Sequence, residues 1–146
     1  MQDEASGVGV GDTLAFLAGR WSTRRELLDR TTGVTGIFTG ITAFTPDGNG
    51  LRWDEEGTVA WPHFEGPASR SYRISAAGAV ATVHFADGRV LCRLDLRSGT
   101  SRDEHACPPD TYRVQFTVTS PSTIDYTWDV TGPSKDQLLT TALTRQ

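Results

Sequence analysis

Lysine is almost missing from this sequence. Lys135 is the only one, so nearly all of the fourteen cationic side chains are arginines. Planar guanidinium forks suit carboxylates and phosphates better than a compact ammonium does. Basic character is also missing overall: the formal net charge is −4 and the isoelectric point near 5.3, which argues against nucleic acid, since that partner wants a basic face. Cysteine and histidine are scarce, with Cys92 and Cys107 against three scattered histidines, which is not a zinc pattern. No stretch approaches the roughly 20 apolar residues that a membrane-spanning helix needs. The acidic, glycine-containing segment 1–11 has neither a basic head nor an apolar run, so it reads as a flexible lead-in rather than a signal peptide. The expected location is the cytoplasm, where both thiols are expected to be free. Repeats and low-complexity blocks are absent too. Gly7, Gly9 and Gly11 precede no strand–helix phosphate loop, and Gly132-Pro133-Ser134-Lys135 is a turn before a strand, so the nucleotide reading fails.

What the chain does have is two-residue alternation. Its 146 residues, 37% hydrophobic and 22% charged, fit one domain over 12–146 with a real core. Asp12 can cap a short helix through Ala18, with Gly19 as its stop. After it the pattern predicts strands near 20–30, 34–46, 50–61, 68–76, 79–86, 89–97, 111–119, 123–131 and 137–145. Tight turns such as Pro46 to Gly50 and Asp87-Gly88 separate them. One long connection, Ser98 to Asp110, carries His105 and Cys107. A meander of this length closes on itself to remove its edges, so the predicted fold is all-β: an antiparallel up-and-down barrel of about 8–10 strands with a short helix capping one end. A flat sandwich would need more long crossovers.

Alternation also sorts the side chains into two faces. Tyr112, Val114, Phe116 and Val118 share one, as do Ile124, Tyr126, Trp128 and Val130. In 89–97 the inward set is Val90, Cys92, Leu94 and Leu96. Three segments put charge inside. Arg25 shares a face with Trp21, Thr23 and Leu27; Glu55 lies with Leu51, Trp53, Val59 and Trp61; Arg70 goes with Tyr72 and Ile74. Unpaired charges in a barrel interior cost several kcal/mol, so these residues must be paired or wet. Two readings follow: a structural Arg–Glu pair inside a solid barrel, or a ligand pocket with a few polar groups on an apolar wall.

The opening Phe16-Leu17-Ala18-Gly19-Arg20-Trp21 resembles the start of lipocalin-like, calycin-type barrels. The resemblance implies that Trp21 closes one barrel end and that a late arginine, here Arg145, packs across it. From about Gly19 to Arg145 the chain more closely resembles the DUF6314 family of uncharacterised bacterial proteins. The match rests on Glu55-Glu56-Gly57, His84 to Arg89, His105-Ala106-Cys107 with Asp110 and Tyr112, and Trp128 to Asp136. Where that family carries an aromatic–His pair after the Asp-Gly-Arg turn, this chain has Leu91-Cys92. The resemblance implies a fold and no established activity.

The expected function is therefore binding of a small, partly apolar organic molecule with an anionic or oxygen-rich group. The ligand-binding candidates are Arg25, Trp53, Arg70, Cys92, Tyr126 and Trp128. The alternative is a cofactor-free isomerase, cyclase or dehydratase acting on a polyketide-like or similar intermediate. There Glu55 would be the base, with Tyr72 or Tyr112 as acid. A third reading is a solid-core structural or interaction module. His105 beside Cys107 is not a nucleophile pair, since adjacency in a loop supplies no hydrogen bond between the two. His63, His84 and His105 lie near strand ends, which argues against haem. No cofactor or metal, no nucleic-acid or membrane partner, and a monomer or homodimer are expected.

Overall fold

The computed structural model describes residues 7–78 and 80–146. The predicted lead-in therefore lies outside the described residues over 1–6, as does the expected first residue of the 79–86 strand. A five-residue helix, α1 (Thr13–Leu17), is capped by the Asp12 carboxylate, which accepts from the Ala15 N–H. Ten strands follow: β1 (Gly19–Asp29), β2 (Val34–Asp47), β3 (Gly50–Trp61), β4 (Phe64–Ala77), β5 (Val80–Phe85), β6 (Val90–Leu94), β7 (Thr100–Cys107), β8 (Asp110–Ser120), β9 (Thr123–Thr131) and β10 (Asp136–Arg145). They form a single antiparallel sheet in the order β6-β5-β4-β3-β2-β1-β10-β9-β8-β7. Each strand pairs with its sequence neighbour, except that β1 pairs with β10 and no backbone ladder joins β6 to β7 among the described residues. The fold is a near-closed, calycin-like up-and-down barrel.

The long connection expected over 98–110 is in fact strand β7. Its register sets Ser101, Asp103 and His105 opposite the inward Phe116, Val114 and Tyr112 of β8, so a polar row replaces the usual apolar one. That row meets the bare edge of β6. The Asp103 carboxylate accepts from the Arg93 N–H at 2.7 Å and the Ser101 hydroxyl from the Asp95 N–H at 3.0 Å. Cys107 Sγ donates to the Val90 carbonyl at 3.4 Å. Side chains thus close the seam that backbone ladders leave open. Lower down, the Val10 N–H reaches the Leu96 carbonyl, and the Leu96 N–H reaches Thr13 Oγ1.

Two local irregularities shape the wall. Between Val83 and His84 the β5–β6 register slips, pairing Val83 with Cys92 but His84 with Val90. Leu91 is the extra residue of this bulge and is fully buried; it takes the place expected of Val90, which is only half-buried, while Cys92, Leu94 and Leu96 lie inward as expected. Gly40 and Gly57 face each other across β2 and β3. A Cβ on Gly40 would run into the Glu56 carbonyl oxygen, and one on Gly57 into that of Thr39. The two strands bend over each other at this point, and only glycine permits so close an approach.

The two barrel ends differ. At the α1 end the Trp21 indole donates to the Leu17 carbonyl at 2.9 Å, and Arg145 lies over the ring. The middle is filled by Phe44, Trp53, Tyr72, Phe116, Tyr126 and Trp128 in a continuous aromatic pack. The far end, where β1, β3 and β9 finish, is not filled.

Candidate functional site

At the far end the aromatic pack stops and a cup of about 290 Å³ begins. Leu27, Phe38, Val59, Trp61 and Leu139 supply its apolar wall, while Arg25, Glu55 and Arg70 supply its charge. The β-period explains the assembly. Arg25 on β1 is in register with Phe38 on β2 and Thr141 on β10, and Glu55 on β3 is in register with Thr42 and Arg70. β4 outruns β5: their pairing begins only at Tyr72 with Phe85. Among the described residues, 64–70 therefore have β3 on one side and no strand on the other, and Ala68, Ser69 and Arg70 line the cup along that edge. Pro67 is tolerated there, where one missing N–H is not felt.

The floor is a hydrogen-bonded ion pair. Arg25 Nη2 lies 2.6 Å from Glu55 Oε2, and Nη1 lies 2.9 Å from Oε1. Arg25 Nε donates to Thr141 Oγ1 at 2.7 Å, and Nη2 donates again to the Tyr126 hydroxyl at 2.9 Å. That hydroxyl in turn donates to Glu55 Oε2 at 3.2 Å, which also receives the Trp53 indole N–H at 3.3 Å. Both charges are buried, at 6% and 3% exposure, and each is satisfied in the way a buried charge requires. Burial works most strongly against the Arg25 charge, but Tyr126 and Glu55 together outweigh it and hold the guanidinium charged above its ordinary range. Burial pushes the Tyr126 hydroxyl well above the ordinary phenol range, so it stays protonated and can accept from Arg25 while donating to Glu55.

Arg70 differs from Arg25. Its Nη1 donates to the Tyr72 hydroxyl at 3.4 Å, and among the described residues no carboxylate comes within ion-pair distance of it. It is solvent-exposed on the wall of the cup.

The residues singled out from sequence fall into three groups. Arg25, Glu55 and Arg70 line the cup. Trp53 and Tyr126 lie beneath it and bond its floor. Tyr72 joins the aromatic pack, 4.9 Å from Trp53 between ring centres, and turns its hydroxyl to Arg70. The others do not line the cup. Trp128 packs 5.8 Å from Trp53, and its buried indole N–H has no partner among the described residues. Tyr112 is half-buried on the opposite wall against Phe85, at 5.6 Å. Cys92 is buried in the apolar core, where burial raises its thiol well above the usual range. His84 bonds Ser75 Oγ and the Gly88 carbonyl on the outer face, and His105 lies on β7 rather than on a loop. Sequence reasoning missed Thr141. The signal was present, since Leu139, Thr141 and Leu143 alternate with exposed residues, but a threonine between two leucines is easily passed over.

The comparisons with known proteins agree with this architecture. An S-type phycobiliprotein lyase from Guillardia theta superposes with a TM-score of 0.71 at 10% identity, covering 92% of this chain and 90% of that one. A de novo designed fluorescence-activating β-barrel gives 0.53 at 13% identity, covering 94% and 100%. A protein of unknown function from the DUF3598 family of Nostoc punctiforme gives 0.65 at 9% identity, where this chain spans 96% of itself but about half (51%) of that chain. At such identities these likenesses show the fold. No curated protein matches the sequence. The family model of DUF6314, a family of unknown function, matches residues 17–145, and the chain belongs to that family.

Proposed function

We propose that the protein binds a small, partly apolar organic anion in the cup, with Arg70 receiving the anionic group. One observation carries this reading. The cup holds two arginines, and only Arg25 is neutralised from within, so Arg70 is a cation on an apolar wall without a carboxylate partner among the described residues. Oxygen anions pair with such a fork in charge-assisted bonds that are about twice as strong as neutral ones. The apolar wall adds about 2.5 kcal/mol for each 100 Å² of ligand surface it covers, offset by the entropy of association. The fold's likeness to a phycobiliprotein lyase and to a fluorescence-activating barrel supports a small-molecule role. Glu55 in this reading orients Arg25, to which both its oxygens bond. In this reading the protein acts in the cytoplasm as a monomer or homodimer without a membrane partner, and its net charge of −4 disfavours nucleic acid.

The test uses two fluorescent probes of similar size, the anion anilinonaphthalene sulfonate and the neutral N-phenylnaphthylamine. Arg70→Gln should weaken the sulfonate by roughly tenfold and leave the neutral probe almost unchanged. Equal affinity of wild type and variant for the sulfonate would remove Arg70 from the site.

A further inference from the structure

The floor of the cup is not fully used by the protein. A guanidinium has five N–H bonds. Arg25 spends its Nε–H on Thr141, both Nη2–H bonds on Glu55 and Tyr126, and one Nη1–H on Glu55. Its second Nη1–H has no protein acceptor among the described residues. Glu55 is equally lopsided. Oε2 receives Arg25, Trp53 and Tyr126, whereas among the described residues Oε1 receives Arg25 Nη1 alone. An unspent donor and an underused acceptor thus stand side by side, 2.9 Å apart, on two buried residues that line the cup. Buried polar groups left short of partners call for an explanation.

We infer that the deep end of the ligand is a neutral amide edge, such as a ring lactam or imide. Its carbonyl accepts from Arg25 Nη1–H, and its N–H donates to Glu55 Oε1. This inference rests on the cup being the binding site, and it specifies which chemistry the cup selects. The Arg25–Glu55 pair carries no net charge, so a second anion at the floor would lose its hydration without gaining a cation. A group with adjacent acceptor and donor completes both valences and leaves the pair intact. The anionic group of the same molecule then lies on the wall at Arg70. The cup's volume, about ten waters' worth at roughly 30 Å³ each, suits a planar bicyclic ring rather than a long chain. The class is a flat heterocyclic lactam that carries one carboxylate.

Three probes of nearly equal size separate the floor from the wall: 2-quinolone-4-carboxylate, its N-methyl analogue, and 1-naphthoate. Each is titrated calorimetrically into wild-type protein and into Arg70→Gln, whose exposed position leaves folding undisturbed. The expected result is that the lactam binds at least roughly tenfold tighter than the other two, because each of them leaves the floor with an unmet valence. Arg70→Gln should weaken all three by a similar factor. If the three bind alike and all depend on Arg70, the cup takes anions but the floor does not read an amide, and this inference falls alone. If none binds at millimolar concentration, or if Arg70→Gln changes nothing, the binding-site reading falls with it.

Discussion

Arg145 lies over Trp21, with its guanidinium carbon 4.1 Å from the ring centre, and its Nη2 donates to the Phe16 carbonyl at 2.7 Å. One side chain from the last strand thus ties the first strand to the helix that plugs the barrel. Arg145→Ala removes a cation–π contact, about 0.5–2 kcal/mol, and a charged hydrogen bond to a backbone carbonyl of about 1.5–3 kcal/mol. Urea denaturation should show a loss of about 2–5 kcal/mol, with probe binding at the distant cup unchanged in the folded protein. A loss of affinity with no loss of stability would mean that Arg145 serves the site and not the closure.

The Arg25–Glu55 pair is expected to behave as a unit. Glu55→Gln or Arg25→Met leaves the other charge buried without its counter-ion and should cost about 3–5 kcal/mol. The joint replacement Arg25→Met with Glu55→Leu should recover most of that loss, because it removes both desolvated charges together. A double-mutant cycle measures the coupling. If the double variant loses the sum of the single losses, the two residues stabilise the barrel independently and the floor is not a closed pair.

This pair was legible in the sequence, because alternation alone put Arg25 and Glu55 on the inner faces of their strands. Other features were not. β7 was hidden because its inward row, Ser101, Asp103 and His105, is polar; it serves the bare edge of β6 rather than the core, so no apolar period marks it. The bulge that buries Leu91 shifts a register, and register is a relation between strands that one strand does not record. Whether the barrel is filled or hollow depends on how Trp53, Tyr126 and Trp128 interlock. Their packing fills the middle, and the cup begins above Glu55, where Val59, Ala68 and Leu139 line it.

Gly40 and Gly57 are expected to be intolerant of any side chain. Each would drive a Cβ into a backbone carbonyl of the neighbouring strand, which cannot rotate away as a side chain can. Gly57→Ala should cost several kcal/mol, at or above the roughly 1–3 kcal/mol typical of overpacked cores. Gly48→Ala, at an exposed turn with open space around it and φ of 62°, should cost only the backbone strain of about 1 kcal/mol. Thermal melts of the two variants give the comparison. Similar melting temperatures would show that β2 and β3 are free to move apart.

Stability should fall on the alkaline side. Burial is the main cause that raises the hydroxyls of Tyr72, Tyr112 and Tyr126 and the thiols of Cys92 and Cys107 above their ordinary ranges. In the unfolded chain these groups release protons near their free values, about 8.5 for cysteine and 10 for tyrosine. Above those values the unfolded state binds fewer protons than the folded one, so the unfolding free energy declines as pH rises. Below about pH 7 all five groups are essentially protonated in both states and contribute little slope. Tyrosinate absorbance should therefore appear together with loss of structure and not as a separate step near pH 10. A clean tyrosinate transition in folded protein would show that the rings are open to solvent.

The seam between β6 and β7 gives the last expectation. Arg93 and Asp95 present N–H groups to β7 that a closed barrel would pair with backbone, and here Asp103 and Ser101 accept them instead. Asp103→Ala leaves the Arg93 N–H without its acceptor, a loss of about 1–3 kcal/mol. Its amide should exchange with solvent at least tenfold faster, while amides in the β1–β10 ladder, on the other side of the barrel, change only by the global loss of stability. Ser101→Ala should do the same at Asp95 with a smaller effect, since the bond it removes is uncharged. The contrast between a carboxylate and a hydroxyl on neighbouring inward positions makes the pattern specific. If both variants speed exchange equally throughout the sheet, the side chains do not hold the seam, and the packing of Leu91, Cys92 and Leu94 against the core keeps β6 in place.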